Sequence, residues 1–442
     1  MNFQEAETYL YSLGNEVSAM KLGLENIEKL LAALEDPQKK YLKVQVAGTN
    51  GKGSVCAFLD SICNSAGIAT GTFTSPHLIS ITERLRINGE DVSEKDFARF
   101  ATIVRDTAES LIASGELETT PTFFEQVTAT ALLAFAEAKV DLAILETGLG
   151  GRLDATTAAN AEIAAITRID LDHQEYLGET IEQIAGEKAA IIHAGSNVVI
   201  GEQSDEVMQM IVERCDLVGV EPLLTPQTLA NEGGNLSGSE GVSSAENENV
   251  GGHRTHFLPV VFPPSSLGLK GNHQVENARI TVLLAETLKK HFAITDQTII
   301  DGLAIARHPG RLEYRGNYLF DGAHNAGGAK ALAAFIDEYE KRPVTMVFGA
   351  MNDKNVAEIL SILAPIAERI VVTEPSNSRS LSYAELLDEL PSNLSKEKTF
   401  ATDHVQQAIT IAREITPADG IILVTGSLYL VGEVKRILSS QI

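Results

Sequence analysis

Residues 44–59, VQVAGTNGKGSVCAFL, restrict the possible folds more than any other stretch. A short apolar run meets a glycine-rich turn and then an amphipathic segment, an order that predicts strand, loop and helix. Gly48, Gly51 and Gly53 carry no side chain. The turn can therefore take positive φ and close its amides on an anion at the start of the helix. Lys52 adds a point charge for β and γ phosphates. In the usual nucleotide-triphosphate loop a Ser or Thr follows the Lys directly; here Gly53 intervenes before Ser54. That leaves the metal-binding hydroxyl to be found elsewhere. A bare glycine turn is equally a tight strand-to-helix connection, and the lysine, the apolar strand and the helix together favour ATP.

The chain has 442 residues, too many for one ordinary core, so two domains are expected. A formal charge of −25 argues against nucleic acid or an acidic membrane as the main partner, because both are bound through clustered Lys and Arg. No apolar run is long enough to span a bilayer, and MNFQEAETYL has acids where a secretory signal needs bases. The cytoplasm is the expected compartment. Cys56, Cys63 and Cys215 form no disulfide framework and no metal spacing, and read as buried thiols.

Residues 1–40 read as helical, with Pro37 ending the run. After the loop helix, an alternating strand leads into Ser75-Pro76-His77, a loop of the kind that lines the ligand crevice of an open α/β sheet. A buried helix led by Thr122, Phe123, Phe124 and Glu125 precedes the apolar strand Leu142–Leu145. Glu146 closes that strand, where phosphate-loop enzymes keep a metal-directing carboxylate, although it could also cap the turn. A third such strand ends in Asp170, Asp172 and His173, an imidazole suited to metal or to capping. Lys188 lies on a mostly apolar helix, so it either snorkels or is chemically converted.

Residues 225–255 are rich in Gly, Ser, Asn and Glu and read as a polar, mobile insertion. Asn277 follows in the first turns of an amphipathic helix, placed either to cap it or to meet a purine. Pro309-Gly310 then breaks the chain, and alternating strands and helices make a second, smaller α/β sheet. Its strand ends carry Asp321, His324, Asp353, Lys354 and Ser427. The expected fold class is α/β. Residues 1–306 form a large phosphate-loop nucleotide-binding domain with a mostly parallel sheet, and 307–442 a smaller Rossmann-like domain.

The series GTNGKGS, TSPHL, ILETGLGGRLDAT, LDHQEYLG, EKAAII, GNHQVENA, HPGR, FDGAHN and VTGSLYL resembles folylpolyglutamate synthase, often bifunctional with dihydrofolate synthase, within the Mur ligase superfamily. The resemblance covers nearly the whole chain outside the polar insertion. It implies an ATP site at Thr49, Asn50, Gly51, Lys52, Gly53 and Ser54, with Asn277 at the adenine, Arg311 at the phosphates across the domain gap and Asp321 at the nucleotide. It further implies two magnesium ions, with Ser75, Glu146 and His173 as ligands, and a CO2-derived carbamate on Lys188 as a further one. Catalysis then rests on Lys52, Lys188, His173 and Arg311.

The implied pterin or folate site is Leu22, Thr122, Phe123, Phe124, Glu125, Leu153, Asp154 and Ala155, and His324 and Ser427 lie near the incoming glutamate. Two departures from the family touch the site walls: Ala190 stands where Gly is common, and Thr157 where Asn is. The implied enzyme is a monomer that joins L-glutamate to dihydropteroate and tetrahydrofolates through an acyl phosphate. A synthase acting on folates alone and an ATP-hydrolysing switch are the alternatives. A peptidoglycan-precursor ligase would need a domain before the phosphate loop, and only about forty residues precede Val44.

Overall fold

The computed structural model describes residues 1–14, 23–226, 249–250, 253–254, 258, 260–392 and 394–439. Leu22 and most of the expected insertion lie outside them. The chain divides into two compact units. The first comprises Met1–Ser75, Ile81–Gly268 and Val275–Ala306; the second comprises Pro76–Ser80, Leu269–Gln274 and Arg307–Ile442.

In the first unit, α1 (Phe3–Ser12) and α2 (Glu25–Ala33) precede β1 (Leu42–Ala47), the phosphate loop and α3 (Lys52–Ser65). There follow β2 (Thr70–Phe73), β3 (Leu85–Ile87), β4 (Glu90–Asp91), α4 (Glu94–Ser114), α5 (Phe123–Ala138), β5 (Leu142–Glu146) and β6 (Ile163–Ile166). Next come α6 (Gln174–Leu177), α7 (Ile181–Ala189), β7 (Asn197–Ile200), α8 (Asp205–Val218) and β8 (Pro222–Leu224). A two-stranded ribbon, β9 (Asn249–Val250) with β10 (His253–Arg254), comes before α9 (His273–Leu288) and α10 (Asp296–Ile305).

The large sheet has the order β4-β3-β2-β5-β1-β6-β7-β8, with β2, β5, β1, β6, β7 and β8 parallel, β3 antiparallel to β2 and β4 antiparallel to β3. Strands covered on both faces tolerate the near-continuous apolar runs seen here. Helices α1, α2, α4 and α5 pack around Phe73, Ala143 and Leu145, and α7 and α8 around Ala47, Ile166, Val198 and Ile200. The order sets the carboxyl ends of β2, β5, β1 and β6 side by side. Those four strands carry Ser75, Glu146, the phosphate loop and the Asp170–His173 loop.

The second unit holds β11 (Glu313–Arg315), β12 (Tyr318–Phe320), α11 (Ala326–Tyr339), β13 (Val344–Phe348), α12 (Val356–Leu363) and β14 (Arg369–Thr373). It ends with α13 (Tyr383–Asp388), β15 (Thr399–Thr402), α14 (Val405–Ile415), β16 (Ile421–Thr425) and α15 (Leu428–Ser439). The sheet order is β11-β12-β16-β13-β14-β15, all parallel except β11. One face packs on α11, α12 and α13 and the other on α14 and α15. The chain is therefore α/β throughout. Among the described residues, no helix is long and apolar enough to cross a membrane.

Candidate active site

The phosphate loop is built as its glycines suggest. Gly51, at φ +95°, caps the start of α3, and a Cβ there would stand 2.2 Å from the Asn277 Oδ1. Gly48, at φ +150°, faces the Thr167 side chain, whose oxygen a Cβ would overlap. Asn277, more than two hundred residues away in sequence, is thus seated against the loop. The amides of Thr49 and Asn50 donate to the Arg168 carbonyl at 2.8 and 3.1 Å, and the Asn50 side chain donates to Asp170 at 2.8 Å. The β6 loop is the back wall of the phosphate loop. Gly53 and Ser54 are buried in the first turn of α3. Lys52 Nζ turns back to the carbonyls of Gly48 and Thr49 at 3.0 and 3.3 Å.

Glu146 is buried, and its Oε2 accepts the Ser75 amide at 3.2 Å. The structure thereby brings together two of the expected metal ligands. His173 begins α6 at φ +51°, its amide held by Asp172 Oδ1 at 2.9 Å. A non-glycine residue in that conformation is held by its surroundings, as at many functional sites. No group of three or more His, Cys, Asp and Glu is assembled for a metal among the described residues. The expected set supplies only Glu146 and His173 of those types. Lys188 does not snorkel: it is buried, and its Nζ donates to the Gly48 carbonyl at 2.8 Å. Burial, with the Glu146 charge nearby, pushes the Cys56 thiol well up, and burial raises Cys215 to about 11. All three thiols are buried and free.

The residues expected at the pterin site have structural work of their own. Thr122 and Glu125 form a reciprocal cap on α5, a pattern visible as T-x-x-E that the sequence reading passed over. Phe124 leaves room for no side chain at Gly148, and Arg84 stacks over the Phe123 ring at 5.4 Å. Leu153 is half-buried and Ala155 buried. Asp154 accepts the amides of Gly148, Leu149 and Thr156 at 2.8, 2.9 and 3.0 Å, and so orders the glycine turn after β5. Burial raises its carboxyl group above the usual range despite those bonds.

In the second unit, Asp321 is buried and accepts the amides of Leu312 at 3.0 Å and Ala323 at 3.0 Å. Burial raises its pKa and the Arg311 guanidinium opposes the rise. These bonds fix the turn that carries Arg311, whose next residue, Leu312, sits at φ +44°. His324 Nδ1 lies 2.8 Å from the Gly322 carbonyl, and the buried Ser427 Oγ accepts the Tyr429 amide at 3.1 Å.

Fold and loop together define a phosphate-loop α/β protein of Mur ligase type. Residues 46–285 match the Mur ligase middle domain, and residues 310–428 the Mur ligase glutamate ligase domain. The dihydrofolate synthase/folylpolyglutamate synthase of Bacillus subtilis is 33% identical over 443 aligned positions, covering 98% of this chain and 98% of that protein. A probable bifunctional folylpolyglutamate synthase/dihydropteroate synthase of Halobacterium salinarum is 32% identical over 98% of this chain, which spans only 51% of that longer protein.

Among solved structures, Escherichia coli FolC in complex with DHPP and ADP superposes with a TM-score of 0.81 at 27% identity, covering 100% of this chain and 98% of that one. A bifunctional folylpolyglutamate synthase/dihydrofolate synthase with Mn, AMPPNP and L-glutamate bound gives 0.78 at 29% identity, covering 99% and 98%. The chain belongs to the folylpolyglutamate synthase/dihydrofolate synthase family of Mur ligases. The family resemblance read from the motifs is borne out.

Proposed function

We propose that this chain is an ATP-dependent carboxylate–amine ligase that adds L-glutamate to dihydropteroate and to folates, as a monomeric cytoplasmic enzyme of small-molecule substrates. The observation that carries the reading is the contiguous strand-end array of Ser75, Glu146 and a phosphate loop with Asn277 seated on Gly51, in a chain of this family.

A carboxylate oxygen is a poor leaving group, so amide formation in water needs activation. The acceptor carboxylate attacks the γ-phosphorus of ATP and ADP departs. The glutamate amine then adds to the acyl carbon, inorganic phosphate leaves, and one proton is released. No protein nucleophile is needed. The work of the chain is to position the reactants and neutralise charge, for which Lys52, the α3 amides and Arg311 are suited. Asn277 selects the base.

Ser75 and Glu146 offer hard oxygen donors and His173 a borderline nitrogen donor, a set that would hold a divalent ion such as Mg2+, and the ion would supply charge to shield the phosphate oxygens. Lys188 as an unmodified ammonium would repel such an ion. Addition of its amine to CO2 with loss of a proton reverses the sign and supplies oxygens. Labelling with 13C-bicarbonate tests that step: a carbamate resonance lost in Lys188→Arg supports it, and its absence from active wild-type enzyme removes it.

The reaction is tested with an 18O-labelled carboxylate on dihydropteroate or tetrahydrofolate. Transfer of one 18O to inorganic phosphate per amide formed is expected. ADP release that depends on neither acceptor nor glutamate would instead mark a nucleotide-hydrolysing switch. Turnover of the folate alone would leave a folylpolyglutamate synthase without the dihydrofolate synthase half.

A further inference from the structure

The turn that carries Arg311 is bonded along its backbone residue by residue. The Gly310 amide donates to Glu313 Oε2 at 2.8 Å, and the Leu312 amide to Asp321 Oδ2 at 3.0 Å. The Gly310 carbonyl accepts the Gly322 amide at 2.9 Å, and the Arg311 amide reaches the His308 carbonyl at 3.3 Å. Gly310 sits at φ +72° and Leu312 at φ +44°. A leucine keeps that left-handed shape only where its surroundings impose it.

Glu313 does more than close the turn. The same Oε2 receives the Lys435 ammonium of α15 at 2.6 Å, and the side chains of Lys435 and Glu313 are 11% and 31% exposed. Glu313 is the ladder partner of Phe320 in the β11–β12 pair, and Lys435 Nζ lies 5.9 Å from the centre of the Phe320 ring. α15 also abuts the turn directly, since a Cβ on Gly310 would stand 3.4 Å from Val431 Cγ1. One carboxylate oxygen thereby ties the start of the turn to α15. A charge-assisted bond of this length, partly shielded from water, is among the stronger polar contacts a protein makes.

The backbone around Arg311 decides where its guanidinium starts from. Catalytic positioning is steep: a misplacement of about 1 Å can cost roughly a hundredfold in rate. We propose that Glu313 and Lys435 are positioning residues for Arg311, the ion pair holding the Gly310 amide so that the guanidinium leaves the turn in one direction. This rests on the ligase reading above, in which Arg311 meets the nucleotide phosphates.

The test is a double-mutant cycle of Glu313→Ala and Arg311→Gln, read as kcat/KM for ATP in amide formation and as equilibrium binding of ATP and of AMP. With Arg311 present, Glu313→Ala is expected to lower kcat/KM for ATP at least tenfold and to weaken ATP binding at least threefold, with AMP binding within twofold of wild type. In the Arg311→Gln background the same substitution should change each quantity by less than twofold. Lys435→Met should move the same quantities in the same direction and add less than twofold to Glu313→Ala. Glu313→Gln keeps an oxygen for the Gly310 amide without the charge, so it should lose less than Glu313→Ala, and it takes the alanine variant's place in the cycle if that variant does not fold.

Equal losses with and without Arg311, equal losses for ATP and AMP, or an unchanged kcat/KM in a folded Glu313→Ala overturn the inference and leave the pair a merely structural contact. The two readings fail separately. A wild type that forms no amide yet shows the coupled cycle in ATP binding overturns the ligase function and keeps the positioning role. An active wild type with an additive cycle does the reverse.

Discussion

Gly51 must be glycine for two separate reasons, its φ of +95° and the Asn277 oxygen 2.2 Å from where a Cβ would stand. Gly67, at φ +74° with no neighbour within 4 Å of a Cβ, shares only the first. An alanine in the left-handed region costs about 1–2 kcal/mol. Both Gly51→Ala and Gly67→Ala should therefore lower the thermal midpoint. Only Gly51→Ala should raise KM for ATP, by tenfold or more, because Asn277 has to leave its seat. Equal ATP kinetics in the two variants would sever Asn277 from the nucleotide.

The glycines, Lys52 and Glu146 were legible in sequence because their chemistry is local to one strand end. The seat of Asn277 on Gly51 and the bond from Lys188 to Gly48 join residues 226 and 140 positions apart, and no spacing rule links them.

Elements with strong apolar runs were found, and short half-exposed ones were not. β15, TFAT, buries only Thr402, and β11, EYR, buries none of its three residues. Edge strands of this kind carry polar side chains, which erases the alternation that would betray them. The start of α9 holds another feature hidden from the sequence. His273 lies beside Gln274, with its Nε2 3.1 Å from the amide nitrogen, and crowds Gly271. Loss of water and the Arg311 charge push the imidazole down to about 4.

The unfolded chain protonates this ring near 6.5, so between about 6.5 and 4 the unfolded state binds more protons than the folded one. The stability linked to His273 is therefore whole above pH 6.5 and is lost as the pH falls through 4. Discounted for the partial exposure of the ring, its size is about 2 kcal/mol. Urea unfolding at pH 7 and pH 4.5 should show wild type losing about 2 kcal/mol more than His273→Gln across that interval. Parallel losses would mean that the ring titrates normally.

At the scale of the whole molecule, the chain passes between its two units five times, after residues 75, 80, 268, 274 and 306. Sequence reading places one boundary, at 306/307, because Pro309-Gly310 is a visible break, whereas Pro76 reads as part of a crevice loop and the remaining crossings carry no proline. The two short excursions are part of the second unit's packing. Leu78 joins the α14 and α15 core, and its carbonyl lies so close to Gly432 that any side chain there would overlap it. Leu269 is buried, and Gly271 packs on His273 and Leu312.

A fragment cut at 307 lacks both excursions. Fully burying one leucine side chain contributes about 1.5–3 kcal/mol; Leu269 is buried and Leu78 half-buried, so their loss amounts to roughly 2–4.5 kcal/mol. That is a large share of the 5–15 kcal/mol typical of a folded domain. Residues 307–442 expressed alone should unfold at a markedly lower urea concentration than the same unit in the intact chain, with signals from β13 and β16 broadened. A fragment with the intact midpoint would show that the excursions merely rest on the second unit, and the cut at 307 would then mark an independent domain.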